Sequence, residues 1–269
     1  MSKLGEKIRR TMRLESAPIG FGAMVSRAPI SSLLLMVHGP ASRLPRQVGD
    51  LASKGVDAIL LSAANPEAEM GEVARWVKDA GDVPCGAQVL APTAVEVAGL
   101  KEAGVDFLAF DAEATNAEAL LEKDMGYVLA LSSEPSDSFL RAMEGFSLDG
   151  LWLYDWQGPL TVRRQVELRR LYVLSRIPVF VPVSADIAPA ELRCLRDAGV
   201  AAVAVDGAEA GTWERLAALR QAIDGLPPRV RRREERLEAV LPQTREVISE
   251  VEEEEEEEYR LRQGPMTLT

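Results

Sequence analysis

The sequence predicts an α/β protein in which eight parallel strands, each followed by a helix, close into a barrel. Two observations carry this prediction. Eight short apolar runs of strand length recur between residues 32 and 206, and segments with helical spacing of apolar residues separate them. A nine-residue pattern also recurs, and its copies are spaced as two strand-helix units would be. Regular alternation of this kind is typical of a parallel sheet.

The eight predicted strands are apolar on both faces, as strands of a helix-covered parallel sheet must be. They span residues 33–38, 58–62, 85–90, 107–111, 127–132, 151–155, 179–184 and 201–206. A single barrel of about 250 residues therefore accounts for most of the chain.

The recurring pattern places every second strand. Its copies begin at Lys54, Ala103, Ser147 and Ala198, and the copy at Ser147 is the loosest. In the other three copies a glycine precedes the strand, where the end of a helix requires a left-handed residue. These glycines are Gly55, Gly104 and Gly199. The copies mark the second, fourth, sixth and eighth strands, and this spacing favours a closed barrel over an open sheet.

Composition divides the chain into three parts, which are an N-terminal segment (1–31), the barrel (32–226) and a charged arm (227–269). In the first part, apolar residues lie among charges at Leu4, Ile8 and Met12, which predicts a short amphipathic helix. Residues 18–24 fit a short strand that closes the bottom of the barrel.

The charged arm carries five arginines within residues 229–236 and seven consecutive glutamates at 252–258. Like charges in such a run repel one another, so we expect the arm to be disordered or only partly helical. The alternative is an interaction arm through which the chain binds a protein partner or a second copy of itself.

Charge and cysteine content exclude several classes of function. The net charge is −11, which repels nucleic acid and anionic membranes, and the longest apolar stretch is far too short to cross a bilayer. Cys85 and Cys194 are too few for a disulfide scaffold and lack zinc-site spacing. We therefore expect a cytoplasmic protein whose partner is a small molecule.

Carboxylates are frequent where the strands end, which is where barrel enzymes carry their active sites. The repeat puts Ser62, Asp111, Asp155 and Asp206 at matching positions of alternate strands, so we expect them to form one ring. Three aspartates at one mouth would repel unless they share protons or bind a cation, and oxygen ligands suit magnesium or manganese. Alternatively, these aspartates accept backbone N–H groups in ordinary turns.

His38 is the single histidine in the chain and ends the first predicted strand. Facing Asp206 across the seam of the barrel, it would be oriented for proton transfer. The alternative is a histidine that stabilises the turn before Pro40. Polar residues at or just beyond other strand ends complete a candidate substrate site, and these are Ser62, Gln88, Glu113, Ser132 and Ser184.

Residues 178–207 form a strand, a helix that ends in Asp-Ala-Gly-Val, and a strand that ends in Asp206-Gly207. This stretch resembles the aldolase-type TIM barrels, and the resemblance extends over about residues 32–225 at the level of the fold. In phosphate-binding members a glycine-rich turn usually follows strand seven, whereas this chain carries Asp186 in that turn. The resemblance thus implies the fold and disfavours a phosphate site there.

Several cofactors are not expected, because the residues or motifs that bind them are missing from the sequence. No lysine falls at the C-terminal end of a predicted strand, so neither a Schiff-base aldolase nor a pyridoxal phosphate enzyme is expected. The glycine-rich nucleotide motifs are missing too, so neither NAD nor a flavin is expected.

Two functions remain open on these residues. One is a lyase or isomerase that acts on an oxyanion-bearing substrate, with a divalent cation on Asp111, Asp155 and Asp206 and with His38 as the proton-transfer residue. The other is a barrel without catalysis that works as a binding or scaffold protein through its charged arm.

Overall fold

Eight parallel strands pair in chain order and close into a barrel, with the first strand hydrogen-bonded to the last. The structure is a computed structural model that describes residues 2–13, 32–45, 51–63, 66–131 and 134–227. The predicted fold class is thereby confirmed. The predicted short strand at 18–24 and the charged arm from residue 228 onwards lie outside the described residues.

The strands are β1 (Leu34–Pro40), β2 (Ala58–Ser62), β3 (Cys85–Gln88), β4 (Phe107–Asp111), β5 (Gly126–Ala130), β6 (Gly150–Trp152), β7 (Val179–Pro182) and β8 (Val200–Asp206). The helices are α1 (Lys3–Arg13), α2 (Pro66–Ala80), α3 (Ala94–Glu102), α4 (Asp137–Ala142), α5 (Val162–Ser175), α6 (Pro189–Ala198) and α7 (Thr212–Asp224). Short 3-10 turns lie at Ala117–Leu120 and Met143–Gly145. β2 and β4 match their predicted bounds, whereas β6 ends three residues early.

The inner face of the barrel is a separate hydrophobic core, formed by every second residue of the strands. Three fully buried rings, Phe107, Trp152 and Phe180, are its largest side chains. Two of them require glycine on the neighbouring strand, because a Cβ at Gly86 would lie 2.2 Å from the Phe107 ring and one at Gly150 2.3 Å from the Phe180 ring. The interior is therefore a packed core rather than a pore.

Helix α1 closes the bottom of the barrel. Its apolar side chains Leu4 and Ile8 are 0% and 3% exposed and belong to the inner core, and Met12 packs against it. The predicted amphipathic helix is confirmed.

Carboxylates hold this helix, and each comes from the residue immediately before an even-numbered strand. These residues are Asp57 before β2, Asp106 before β4 and Asp149 before β6. Asp106 accepts the backbone N–H groups of Lys3 at 2.8 Å and of Leu4 at 2.9 Å. These N–H groups have no acceptor within the helix, so the carboxylate supplies one. Its negative charge also stabilises the positive end of the helix dipole.

The other two carboxylates bind side chains of the N-terminal segment. The Ser2 hydroxyl donates to Asp149 at 2.6 Å, and Lys7 Nζ lies 3.8 Å from a carboxylate oxygen of Asp57. Burial raises the pKa of Asp149, and the Ser2 hydrogen bond opposes that shift. Burial likewise lowers the pKa of Lys7, against the charge of Asp57. Asp149 and Lys7 are therefore both partly shielded from water where α1 closes the bottom of the barrel.

Three glycines that precede strands have positive φ angles, at Gly55 (77°), Gly104 (89°) and Gly199 (107°). The left-handed residues predicted at these positions are thus confirmed. No helix in the described part of the chain is both long and apolar enough to cross a membrane.

The floor helix makes a testable contribution to stability. Leu4→Ala removes a fully buried side chain from the inner core, so we expect it to lower the free energy of unfolding by about 2–5 kcal/mol. Arg10→Ala on the exposed side of the same helix is the matched control, with a change within about 0.5 kcal/mol. Urea unfolding followed by circular dichroism measures both, and an equal effect of the two substitutions would contradict this role of α1.

Candidate active site

The inward-facing positions turn polar where the strands reach the upper rim of the barrel. Because side chains alternate along a strand, the residue two beyond a core position faces the same way. Met36 on β1 is thus followed by His38, Leu60 on β2 by Ser62, Gly86 on β3 by Gln88, Ala109 on β4 by Asp111, and Ala204 on β8 by Asp206. All five rim residues were predicted as site residues, and the fold gives them one shared direction.

His38 lies at the seam of the barrel, where its Cα pairs in register with that of Asp206 on β8. Its ring meets the Trp152 ring edge-on, with centroids 5.3 Å apart and an interplanar angle of 64°. Burial lowers the pKa of His38 below its ordinary value, and the negative charge of Asp206 opposes that shift. The shift favours the neutral imidazole, which is the form able to accept a proton.

No described residue forms a hydrogen bond with the ring nitrogens of His38. Asp206 directs Oδ1 to the backbone N–H of Ala208 at 2.8 Å. Gly39 has a φ of 153°, which L side chains rarely adopt, and a Cβ there would make tight contacts with Leu44 Cδ2 at 3.1 Å and Asp206 Oδ1 at 3.3 Å. Histidine and aspartate are thus held side by side by the register of β1 and β8.

Trp152 faces the axis of the barrel. Its side chain is 1% exposed and lies in the inner core, and its indole N–H donates to Gln88 Oε1 at 3.1 Å. The ring predicted above has Asp155 facing the axis, which would turn Trp152 and Tyr154 towards the helices, and this orientation is wrong. Both rings pack with the inner core, whereas Leu151 and Leu153 pack outside.

A one-residue slip in the loosest copy of the repeat explains this error. Asp106 and Asp149 both stand immediately before their strands, so Asp149 corresponds to Asp106 and Tyr154 corresponds to Asp111. The predicted alignment matched Asp155 with Asp111 instead, and a shift of one residue reverses the face of every side chain. The aspartate immediately before each of these two strands was the sequence signal that gives the correct alignment.

The three aspartates predicted as metal ligands are not brought together. Among the described residues, no three histidine, cysteine or carboxylate side chains form a group that could hold a metal ion. Asp111 Oδ1 accepts the backbone N–H groups of Glu113 at 2.8 Å and Ala114 at 3.1 Å, so it organises its own turn. Asp155 is exposed in a turn beyond β6. The turn chemistry given above as the alternative is what Asp111 and Asp206 show.

The other predicted substrate-binding residues are exposed in turns or lie outside the described residues. Glu113 is exposed in the turn after β4, and Ser132 is not described. Ser184 is exposed, and its hydroxyl accepts the backbone N–H of Asp186 at 3.3 Å. Asp186 in turn pairs with Arg215 at 2.9 Å, so the turn after β7 carries an ion pair.

No protein-family model matches this chain, and no curated protein matches it either. Solved structures do match it. One is 3-keto-L-gulonate-6-phosphate decarboxylase from Vibrio cholerae O1 biovar El Tor, which is 16% identical over 73% of this chain and 99% of that chain, with a TM-score of 0.59. Another is a mutant tryptophan synthase alpha-subunit from Pyrococcus furiosus, which is 17% identical over 72% and 97% of the two chains, with a TM-score of 0.54.

A tryptophan synthase structure from M. tuberculosis gives a similar match, with 14% identity over 85% of this chain and 99% of that chain and a TM-score of 0.57. Identities this low establish a shared fold and nothing finer. The chain thus has the fold of the aldolase-type TIM barrels, as the resemblance of residues 178–207 implied, and no specific family within them is assigned.

The lowered pKa of His38 can be measured directly, because this single histidine gives one imidazole Cε1–H signal in the tag-free protein. We expect an NMR titration midpoint below 6.5, and Asp206→Asn should lower it further by removing the opposing charge. A midpoint at or above 6.5, or no response to Asp206→Asn, would contradict the burial and charge described above.

The same shift makes stability depend on pH. Between the folded pKa of His38 and the ordinary value of 6.5, the unfolded chain binds more protons than the folded one. His38 therefore lowers the free energy of unfolding as the pH falls from about 6.5 through the folded pKa. His38→Gln should remove this part of the pH dependence in urea unfolding measured at several pH values.

Proposed function

We propose that the upper rim catalyses proton transfer at a carbon atom next to the carbonyl group of a small molecule, as a lyase or an isomerase. The observation that carries this proposal is His38, a neutral imidazole on the inner face of the barrel, held beside Asp206 at the end where barrel active sites lie. A base of this kind contributes most when its pKa lies near or somewhat below the working pH.

The chemistry follows from these groups. A ring nitrogen of His38 takes the proton, the C–H electron pair forms the enolate double bond, and the negative charge moves to the carbonyl oxygen. Asp206 stabilises the imidazolium that results. With an α-hydroxy carbonyl substrate, the hydroxyl gives up its proton to the enolate oxygen and the abstracted proton returns to the former carbonyl carbon, which completes an isomerisation. With a leaving group on the β-carbon, the carbonyl re-forms and that group departs with its electron pair, which completes an elimination.

The comparisons support this reaction class only through the fold. A decarboxylase and a synthase subunit share the barrel with this chain, and the same barrel hosts many other reactions. In the turn after β7, Arg215 is already paired with Asp186 and so is not available to bind a phosphate group of a substrate. The proposed substrate is therefore a small carbonyl compound that needs no phosphate group.

The proposal keeps the magnesium or manganese ion expected from the sequence as an activator, and its effect on the rate can be measured. The steps above use only groups of the chain, so proton transfer should proceed without added metal. An ion that binds at the rim would stabilise the enolate oxygen as a Lewis acid and raise the rate.

Deuterium exchange tests the proposal without knowledge of the full reaction. We expect the protein in D₂O to exchange the α-protons of pyruvate or dihydroxyacetone faster than buffer does, as followed by the loss of ¹H NMR signals. His38→Gln should slow this exchange by about 10²–10⁴-fold, because the base is removed. The matched control is Glu144→Gln at an exposed carboxylate in the turn before β6, away from the rim, which should leave the rate unchanged.

Each assay is run with EDTA and with added Mg²⁺ or Mn²⁺. Exchange that occurs only with metal would assign the ion an essential part. Absence of exchange under all these conditions, or equal rates for the wild type and His38→Gln, would refute the proposed function.

A second candidate function is protein binding, and the outward face of α5 favours it. Val162, Val166 and Val173 lie on one side of this helix and are 79%, 62% and 43% exposed. Exposed apolar surface of this kind is typical of interaction sites. If the chain self-associates through this face, the double substitution of Val162 and Val166 by serine will reduce the mass measured by light scattering.

The same measurement on a chain that lacks residues 229–269 separates this candidate from the scaffold function inferred for the charged arm. Loss of assembly with the deletion alone would assign the contact to the arm. A monomer in all three proteins would refute self-association through either.

A further inference from the structure

We infer that Gln88 donates hydrogen bonds to the carbonyl oxygen of the substrate, and that Trp152 sets the orientation in which it does so. This inference rests on the proposed function, because it assigns the group that receives the negative charge when His38 removes the proton. The inference also goes beyond the proposed function, because it names Trp152 as a positioning residue buried in the core.

The chemistry of the two side chains fixes the orientation of the amide. An indole N–H is a donor only, whereas the glutamine amide has an acceptor end and a donor end. The Trp152 N–H lies 3.1 Å from Gln88 Oε1, so the acceptor end faces the indole. Turning the amide over would set two donors against each other and lose the hydrogen bond.

The Trp152 ring is held firmly enough to impose this choice. Its side chain is 1% exposed and packs in the inner core, where its Cα pairs in register with Ala130 on one side and Phe180 on the other. Interiors of this density allow little displacement of a large ring. The indole N–H therefore keeps one direction while Gln88, at the rim, is only partly buried.

The donor end of Gln88 is left for a ligand. No described residue accepts a hydrogen bond from Gln88 Nε2, although the amide lies at the end of β3 where the inner face opens. Two N–H groups with a fixed direction suit an oxygen that gains negative charge during a reaction. A substrate without an acceptor atom would leave them unpaired.

One ring positions both the base and the donor. Trp152 contacts His38 through its ring, at a centroid distance of 5.3 Å, and Gln88 through its N–H. His38 and Gln88 therefore both contact a single indole. A carbonyl compound that reaches both side chains can place its α-carbon at the imidazole and its oxygen at the amide.

Three variants test the inference in the pyruvate exchange assay. Gln88→Glu keeps an acceptor for the indole but replaces the N–H groups by a carboxylate oxygen, so we expect exchange to fall by about 10²–10³-fold. Trp152→Phe keeps a ring and loses the N–H, so the amide can turn either way and the expected loss is smaller, about tenfold. The matched control is Gln221→Glu on the exposed side of α7, with no change.

Rates are compared on the pH plateau of each variant, because a new carboxylate near His38 also raises the pKa of the imidazole. The His38 NMR titration locates that plateau. A structural role of Gln88 alone would alter stability and leave the plateau rate unchanged, so the two roles are distinguishable.

A second measurement does not depend on catalysis. The side-chain amide of Gln88 gives a pair of ¹⁵N–¹H signals, which Gln88→Glu removes and so assigns. We expect pyruvate to shift this pair in the wild type, and to shift it less in Trp152→Phe. Pyruvate that leaves the pair unshifted would overturn the inference.

The outcomes also separate this inference from the proposed function. If Gln88→Glu exchanges pyruvate protons as fast as the wild type while His38→Gln does not, the Gln88 inference fails and the proposed function stands. If the wild type shows no exchange, the proposed function fails, and the Gln88 signals alone decide whether the amide binds a carbonyl oxygen.

Discussion

The closed inner face of the barrel is the constraint on which the rest of the structure depends. Three buried rings fill it, and two of them fit only because the neighbouring strand carries glycine. The core of a barrel has two ends. At each end either another element covers the core or the inward-facing side chains become polar. At the lower end α1 inserts Leu4 and Ile8, and at the upper end polar side chains face the solvent.

The two ends use carboxylates in opposite ways. At the floor, Asp106 accepts the first N–H groups of α1 and Asp149 accepts the Ser2 hydroxyl, so these acids bind the chain itself. At the rim, Asp206 satisfies one turn and still lies beside His38. Acidic residues at the heads of strands therefore bind the N-terminal segment, whereas the proposed chemistry lies at the tails.

Trp152 joins the core to the site. Its ring belongs to the packing of the interior, while its edge contacts His38 and its N–H holds Gln88. A substitution at this position would disturb stability and positioning together, which distinguishes it from the rim residues that face solvent. The rigidity needed for an orienting group is supplied by burial rather than by further hydrogen bonds.

Much of the architecture was predictable from local patterns. Apolar runs and glycine-ended helices identified eight strands, and β2 and β4 were placed to the residue. The polar residues predicted at the ends of β1, β2, β3, β4 and β8 follow inward-facing positions in the structure, because strand tails in a barrel converge by geometry. Where a prediction failed, at β6, the strand is only three residues long and offers little alternation by which to set its phase.

The sequence by itself determined the fold class, the amphipathic character of the N-terminal helix and the positions of His38 and Asp206 at strand ends, because periodicity and spacing are local properties that the chain carries in any conformation. Only the tertiary structure decided which way each carboxylate turns, that Trp152 faces inward, and that Gln88 meets its indole. These are contacts between residues as far apart in sequence as Gln88 and Trp152, and they exist only once the strands pair around a common axis.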